Sequence, residues 1–234
     1  MPYLSRNQIE KMADSIISRY RAECVPEKRL CYRVNPTELA SLLGFHIDFQ
    51  YLSIDGTLLG VTSSHQAWVE TYFPDSSKAM YELNGRTLLI EKRLQLHPAL
   101  KGRRNFTIAH ELSHQIINRT FPEEFGVANR LCCDYRRSTP QGKITNWYEW
   151  QADALASALI LPPDAVKDAM FVYGLGEKMT VLSRKYSAYK FEQFCQMADF
   201  LEVSRTALSY RMEQLGLLER NLLVKEAMQK KGVA

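Results

Sequence analysis

The chain has 234 residues, 46% of them apolar and 24% charged, which is the composition of an ordinary globular protein with one good core. Its net charge of +4 is too small to indicate nucleic-acid binding by itself. The first residues, MPYLSRNQIEK, lack the apolar core of a secretory signal, and no apolar run approaches the roughly 18 residues that a membrane span needs. The five cysteines form no CxxC pair, which indicates free thiols in a reducing compartment. We therefore expect a soluble, cytoplasmic protein.

The N-terminal part reads as two helices. Residues 5 to 22 have apolar side chains at helical spacing, and Ser5 with Gln8 forms a capping-box pattern at the start. A second, shorter helix is predicted between the cap residue Asn35 and Gly44, with a proline at its first position. Both helices are expected to serve packing.

From residue 45 to residue 91 the sequence changes to short runs rich in β-branched and aromatic residues. HIDFQYL, GTLLGVT and AWVETYF are candidate strands, and YEL-NG-RTLLI predicts a hairpin because Asn84-Gly85 suits a tight two-residue turn. These runs predict a small antiparallel or mixed sheet. Helical patterns dominate again from about residue 102, so strands and helices are segregated and the predicted fold class is α+β.

The segment RRNFTIAHELSHQ places His110, Glu111 and His114 on a helix predicted from about residue 102 to residue 118. Residues four apart lie one turn, about 6 Å, along the same helix face, so the two imidazoles can converge on one ion at about 2.0–2.1 Å. Glu111 is rotated by about 100° from His110, which suits it to reach a water rather than to act as a ligand. HExxH is a short pattern, however, and chance matches occur.

A second i,i+4 pair supports a metal site. In WYEWQADALASALILPP, Glu149 and Asp153 lie on a helix predicted to end before Pro162. Glu149 could supply the third protein ligand of a catalytic zinc, and Asp153 could accept the free ring N–H of a ligand histidine. The alternative is a surface helix with two exposed acids. The adjacent Cys132 and Cys133 could also bind a metal or sense oxidation, or could simply be small apolar residues beside a loop.

FTIAHELSH followed by E-x-x-A-D-x-x-A-x-x-L-I-L-P resembles the ImmA/IrrE-type metallopeptidases, a branch of the gluzincins. The resemblance covers roughly residues 5 to 175. It implies that His110, His114 and Glu149 bind zinc and that Glu111 is the general base. It also implies that Asp153 hydrogen-bonds to a ligand histidine, with His110 as the expected partner.

Two positions depart from the usual family strings. Ser113 replaces a glycine, and Asp153 stands where many members have asparagine. Serine is small enough to fit, and aspartate restores the E-x-x-x-D pattern of the wider gluzincins, so neither departure threatens the resemblance.

The implied chemistry is peptide hydrolysis, in which zinc makes a bound water acidic and Glu111 accepts its proton and passes it to the leaving amine. A further donor usually stabilises the tetrahedral oxyanion. Tyr148, His97 and Tyr135 are the candidates, and the sequence does not choose among them.

The C-terminal stretch FCQMADFLEVSRTALSYRMEQLGLL, residues 194 to 218, has the pattern of a helix-turn-helix. A DNA-binding role would direct Arg205, Ser209 and Arg211 toward a major groove, but Glu213 and the small basic excess favour packing or partner docking instead. YGLGEKMT predicts a boundary between a peptidase domain, residues 1–176, and a C-terminal helical segment, residues 177–234.

Two functional hypotheses remain. The first is a zinc-dependent endopeptidase, for which the family resemblance implies a helix-turn-helix transcriptional repressor as substrate. We expect residues 179 to 234 to bind this substrate, because they present surface beyond the catalytic core. The second is a non-enzymatic metal-binding regulator that acts through partner or DNA binding. All four residues of the implied catalytic set are present, which favours the enzyme.

Overall fold

A computed structural model describes residues 3–25, 32–122, 133–136 and 147–223, with residues 133–136 described by their backbone alone. The helices are Arg6–Cys24 (α1), Pro36–Leu42 (α2), Lys92–Leu96 (α3), Lys101–Thr120 (α4), Trp147–Ile160 (α5), Pro163–Val172 (α6), Ala188–Phe200 (α7) and Arg205–Gln214 (α8). The strands are His46–Gln50 (β1), Leu58–Thr62 (β2), Gln66–Tyr72 (β3), Lys78–Asn84 (β4), Thr87–Glu91 (β5), Cys133–Arg136 (β6), Met179–Leu182 (β7) and Leu218–Asn221 (β8). The predicted α+β class is confirmed. None of the described helices is long and apolar enough to cross a membrane.

The chain packs as two compact units, Met1–Tyr20 with Asn35–Ile160, and Arg21–Val34 with Leu161–Ala234. The second unit therefore begins earlier in the chain than the predicted segment of residues 177–234 and also takes up a piece of the N-terminal region. The predicted division into domains of residues 1–176 and 177–234 stays a prediction.

The predicted helix caps of the N-terminal part are present. Ser5 N donates to Gln8 Oε1 at 2.9 Å and Gln8 N donates to Ser5 Oγ at 3.4 Å, so the capping box closes in both directions. Asn35 Oδ1 accepts from the backbone N–H of Thr37 at 3.0 Å at the start of α2. Gly44, with φ of 78°, ends that helix in the left-handed conformation that glycine tolerates.

The main sheet of the first unit is mixed, as predicted, with strand order β1-β5-β2-β6. β1 pairs with β5 in parallel, whereas β2 is antiparallel to both β5 and β6. β5 lies inside the sheet, and its five residues are all buried. β2 lies inside the sheet as well, and both inner strands carry buried apolar residues, Leu88, Leu89 and Ile90 in β5 and Leu59 and Val61 in β2.

The predicted hairpin across Asn84-Gly85 is wrong. β4 pairs instead with β3 in a separate two-stranded sheet, while β5 enters the main sheet. Gly85 does adopt a positive φ of 76°, so a tight turn is present, but it joins strands of different sheets. The physical reason is burial: β4 alternates between exposed and covered positions, and the fully buried β5 needs partners on both sides.

Helix α4 is the central element of the first unit. It contacts β2, β5 and β6 on the sheet and packs along α5. Every residue from Thr107 to Asn118 is buried, including the polar ones. Small residues on α5, among them the fully buried Ala152 and Ala156, allow the two helices to approach closely. Polar side chains on α4 therefore lie in the core, where each needs a specific partner.

The second unit contains the predicted helix-turn-helix, formed by α7 and α8. Ser204 caps α8 by accepting from Ala207 N at 3.1 Å, and Met197 and Met212 are fully buried, as the apolar pattern indicates. β7 and β8 flank the helix pair and are parallel to each other.

The residues assigned to a DNA-binding face do not lie together on the surface. Arg205 is exposed, but Ser209 and Arg211 are buried, and Arg211 Nε donates to the carbonyl of Leu161 at 2.9 Å. The burial of Ser209 and Arg211 does not suit the DNA-binding alternative, which Glu213 and the small basic excess already made the less favoured one.

Candidate metal centre

Helix α4 presents His110 and His114 on one face, one turn apart. Both side chains are fully buried, and their Nε2 atoms lie 3.0 Å apart with the rings nearly perpendicular at 83°. The i,i+4 spacing on a buried helix therefore produces the convergence that the sequence predicts.

Glu149, at the start of α5, closes the group. Its Oε2 lies 3.1 Å from His110 Nε2, and its Oε1 lies 3.5 Å from His114 Nε2. Ligands about 2.05 Å from a tetrahedral zinc would be about 3.3 Å from one another. The three side chains are the one group of histidine, cysteine and acidic residues in the described part of the chain whose atoms could hold a metal ion.

Asp153 lies one turn after Glu149 and orients the first histidine. The Nδ1–H of His110 donates to Asp153 Oδ1 at 2.9 Å, which leaves Nε2 directed at Glu149 and His114. This is the arrangement by which a carboxylate fixes the tautomer of a ligand histidine. His114 Nδ1, in contrast, is buried with no hydrogen-bond partner among the described residues.

The surroundings drive the two histidines to opposite protonation states. Burial alone would lower the pKa of His110, but hydrogen bonds to Asp153 and Glu149 outweigh it and raise the pKa to about 9. Burial, together with repulsion from His110, lowers the pKa of His114 to about 4 against the attraction of Glu149. Burial would raise the pKa of Glu149, but its hydrogen bonds to both histidines lower it to about 2. Glu149 therefore stays ionised at neutral pH, as a metal ligand must.

Glu111 follows His110 on α4 but faces the sheet. Its side chain is fully buried and lies against the backbone of β2 at Gly60. Its charge adds to those that favour the protonated form of His110. The residue thus stands beside the three-residue group without belonging to it, in agreement with the rotation of about 100° between adjacent helix positions.

The candidates for oxyanion stabilisation fall in three different settings. The ring of Tyr148 lies 4.4 Å from that of His114, but its hydroxyl donates to Asn118 Oδ1 at 2.9 Å. His97 is exposed at the end of α3. Tyr135 is paired in register with Gly60 on β6, where only the backbone is described.

Ser113 fits its position, as expected. It is fully buried, and its hydroxyl donates to the carbonyl of Ala109 at 2.7 Å, so the extra polar group is satisfied within the helix. Cys132 lies outside the described residues, and so does the side chain of Cys133; their possible role in metal binding or oxidation stays a prediction.

The sequence analysis missed two glutamines that hold the site's helices. Gln115 is fully buried, and its Nε2 donates to Thr62 Oγ1 at 2.6 Å and to the carbonyl of Ser63 at 2.8 Å, which ties α4 to the end of β2. Gln151 is also fully buried, and its Oε1 accepts the backbone N–H of Leu4 at 2.7 Å. A glutamine within two positions of a candidate metal-binding residue, inside an apolar helix pattern, is the signal that could have indicated them.

The sequence matches one protein family over much of its length. Residues 71–213 match the M78 peptidase family, in the part described as the IrrE N-terminal-like domain. The match covers more than half of the chain and includes α4 and α5 with the three-residue group. No curated protein matches the chain significantly.

Proposed function

This chain belongs to the M78 peptidase family through its IrrE N-terminal-like domain, and on that premise we propose that it is a zinc-dependent endopeptidase that cleaves a helix-turn-helix transcriptional repressor. The single observation that carries the proposal is the convergence of His110, His114 and Glu149, whose ligand atoms lie 3.0–3.5 Å apart.

The donor set favours zinc over other common ions. Two imidazole nitrogens and one carboxylate are the protein ligands of many catalytic zinc sites, which keep a fourth position open. Magnesium and calcium prefer oxygen ligands, and a buried pair of imidazoles would not suit them. Zinc would supply Lewis acidity at this site, polarising the scissile carbonyl and making a water acidic at neutral pH.

Glu111 is the proposed general base. Its carboxylate would accept a proton from the attacking water and donate it to the leaving amine as the peptide bond breaks. Asp153 would hold His110 with Nε2 directed at the ion throughout, because its carboxylate accepts the Nδ1–H. The fully buried setting of Glu111 excludes bulk water from that carboxyl, which strengthens its interaction with the reacting groups.

An edge strand beside the site offers a way to bind an extended substrate. β6 is one of the two terminal strands of the main sheet as described, and it pairs with β2, the strand against which Glu111 lies. A peptide could add to such an edge through main-chain hydrogen bonds, which do not depend on its sequence. A folded protein would have to present an exposed linker or a frayed helix end there.

The repressor substrate rests on the resemblance to ImmA/IrrE-type peptidases, whose members cleave helix-turn-helix repressors that are often encoded beside them. In this chain the corresponding outcome would be the release of genes from repression. The burial of Ser209 and Arg211 argues against direct DNA contact through these two side chains, and the choice of a repressor as substrate rests on the resemblance alone.

The test has two stages. The zinc-loaded protein is first incubated with a proteome-derived peptide library, and cleaved peptides are identified by mass spectrometry. The zinc-loaded protein is then incubated with purified repressors encoded near its gene. We expect cleavage by the wild-type chain and by Glu177→Gln, an exposed control with the same chemical change, and none by Glu111→Gln.

The outcomes separate the two functional hypotheses. Cleavage of library peptides without cleavage of any repressor would retain the peptidase and reject the substrate. No cleavage by either wild type or Glu111→Gln, with zinc bound to both, would instead favour the non-enzymatic regulator. Equal cleavage by both would reject Glu111 as the general base.

A further inference from the structure

Gly60 stands in the middle of β2, in the run LLGVT, where its neighbours favour a strand and it does not. A glycine is often required because the backbone adopts a positive φ. Six other described glycines do so, among them Gly44 and Gly85, but Gly60 is not one of them. Its φ therefore does not by itself require glycine, and a different reason for glycine is needed.

The reason is the space taken by Glu111. A Cβ atom built on Gly60 would lie 2.5 Å from Glu111 Oε1, 2.8 Å from its Cγ and 2.9 Å from its Cδ. Non-bonded carbon atoms prefer separations of about 3.5–4.0 Å, so a methyl group and the present Glu111 side chain cannot both be accommodated. All three close atoms belong to the one side chain, and it is this side chain that would have to move.

The helix itself cannot easily shift to relieve the contact. Four residues after Glu111, Gln115 donates to Thr62 Oγ1 and to the Ser63 carbonyl, two and three residues after Gly60. Four helical residues advance about 6 Å and two strand residues about 6.8 Å, so α4 and β2 run side by side in matched register. Both polar contacts are buried, which resists sliding of α4 along β2.

We propose that Gly60 is a positioning residue: the absence of a side chain at this point of β2 holds the space in which the Glu111 carboxyl lies. The steric part of this proposal stands on the structure alone. Its catalytic consequence rests on the proposed function, because it assumes that Glu111 is the general base. Gly60 also lies outside the matched family region, residues 71–213, and so is not assigned by it.

A competing explanation is the local irregularity of the sheet. The pairing of β2 with β6 shifts register between Leu58 and Gly60, and glycines are common at such bulges. If the bulge is what requires glycine, replacing Gly60 should have the same effect whatever residue occupies position 111. If Glu111 is the reason, the effect should disappear when that side chain is removed.

The first experiment therefore measures melting temperature in metal-free protein for wild type, Gly60→Ala, Glu111→Ala and the double variant. We expect Gly60→Ala to lower the melting temperature by at least about 4 °C when Glu111 is present, and to leave it unchanged or raise it when residue 111 is alanine. An equal loss in both backgrounds would overturn the proposal. If Gly60→Ala does not fold alone, folding of the double variant supports the proposal, and failure of both overturns it.

The second experiment measures peptide cleavage and zinc content of full-length Gly60→Ala. We expect full zinc occupancy, KM within about threefold of wild type, and kcat lower by about 10–100-fold, because a displacement of about 1 Å in a catalytic group has effects of that size. An unchanged kcat would overturn the positioning role. The melting-temperature cycle requires neither metal nor substrate, so it would still decide the steric claim if the chain proved not to be a peptidase.

Discussion

Residues His110 and His114 are chemically identical and lie one turn apart, yet their neighbours give them different charges. His110 has a carboxylate near each ring nitrogen, whereas His114 has only the Glu149 carboxylate, shared with His110, near Nε2 and a buried Nδ1 without a hydrogen-bond partner among the described residues. With pKa values of about 9 and about 4, the metal-free protein holds His110 protonated and His114 neutral at neutral pH. A metal ion must therefore displace one proton from this pair.

We accordingly predict that zinc binding at pH 6 releases close to one proton per chain. A pH of 6 is below the pKa of His110, about 9, so His110 is protonated and gives up its Nε2 proton to bind the metal. The same pH is above the pKa of His114, about 4, so His114 is neutral and releases no proton. Calorimetric titration in buffers of different ionisation enthalpy measures the number. Asp153→Asn should reduce it, because the hydrogen bond that helps to raise the pKa of His110 is weakened. Zinc binding without proton release in the wild type would contradict the assignment.

The two acidic residues of α5 should differ in importance. We predict that Glu149→Ala greatly weakens zinc retention, because it removes a ligand atom 3.1 Å from His110 Nε2. Asp153→Ala should be milder, with about 10–100-fold weaker zinc affinity or activity, because it only orients His110. Competition with a chromophoric chelator measures both. Undiminished zinc affinity in Glu149→Ala would remove that residue from the site.

Among individual residues, the sequence predicts those contacts that depend only on fixed spacing along a helix. The pairs His110–His114 and Glu149–Asp153 are each four residues apart, and helix geometry alone puts each pair on one face. The sequence could not predict that Glu111 would lie against Gly60, which is distant in the chain, since that contact depends on how α4 docks on β2.

Among the secondary-structure elements, those with their own local signals are the predictable ones. Helices α1 and α2 have caps at Ser5 and Asn35, and both caps form. The strand pairing is not predictable in this way, because Asn84-Gly85 is a local turn signal, whereas the place of β5 depends on burial across the whole sheet. Local chemistry thus fixes where an element starts or ends, and tertiary packing fixes its neighbours.

A buried hydrogen bond links helix α5 to the N-terminal segment, and it gives a prediction about the stability of their packing. Leu4 N donates to Gln151 Oε1 in the core, 147 positions away in the chain. We predict that Gln151→Ala lowers the free energy of unfolding by about 1–3 kcal/mol, because the Leu4 N–H stays buried without its acceptor. Urea denaturation measures this, with the exposed Gln214→Ala as control. Equal changes in the free energy of unfolding for the two substitutions would show that the Leu4–Gln151 hydrogen bond has no role in stability.

At the scale of the whole molecule, the candidate metal-binding residues and the helix-turn-helix belong to different compact units. His110, His114 and Glu149 all belong to the first unit, whereas α7 and α8 belong to the second. Large aromatic side chains are exposed on both units, for example Trp68 and Phe73 on the first and Tyr186 and Tyr189 on the second, so their exposure does not assign a docking surface to either unit. Because the candidate metal-binding residues all belong to the first unit, we propose a role in binding substrate for the C-terminal part.

We therefore predict that a chain ending at Gly174 keeps one zinc ion but cleaves its protein substrate far more slowly, with short peptides less affected. The reason is that all proposed ligands remain, while most of the proposed docking unit is lost. Zinc content and the two cleavage rates are compared with those of the full chain. An empty zinc site would mean that the first unit depends on the second for its fold, and an unchanged rate with protein substrate would reject docking.

The ligand set of the metal is tested most directly by anomalous diffraction at the zinc absorption edge from crystals of the zinc-loaded protein. We predict one strong peak per chain, at about 2.0–2.2 Å from His110 Nε2, His114 Nε2 and a carboxylate oxygen of Glu149. Asp153 should still accept the hydrogen bond from His110 Nδ1, and the Glu111 carboxylate should be too far from the zinc ion to be a ligand. A peak at another place, or one coordinated by Glu111 in place of Glu149, would contradict the central claim.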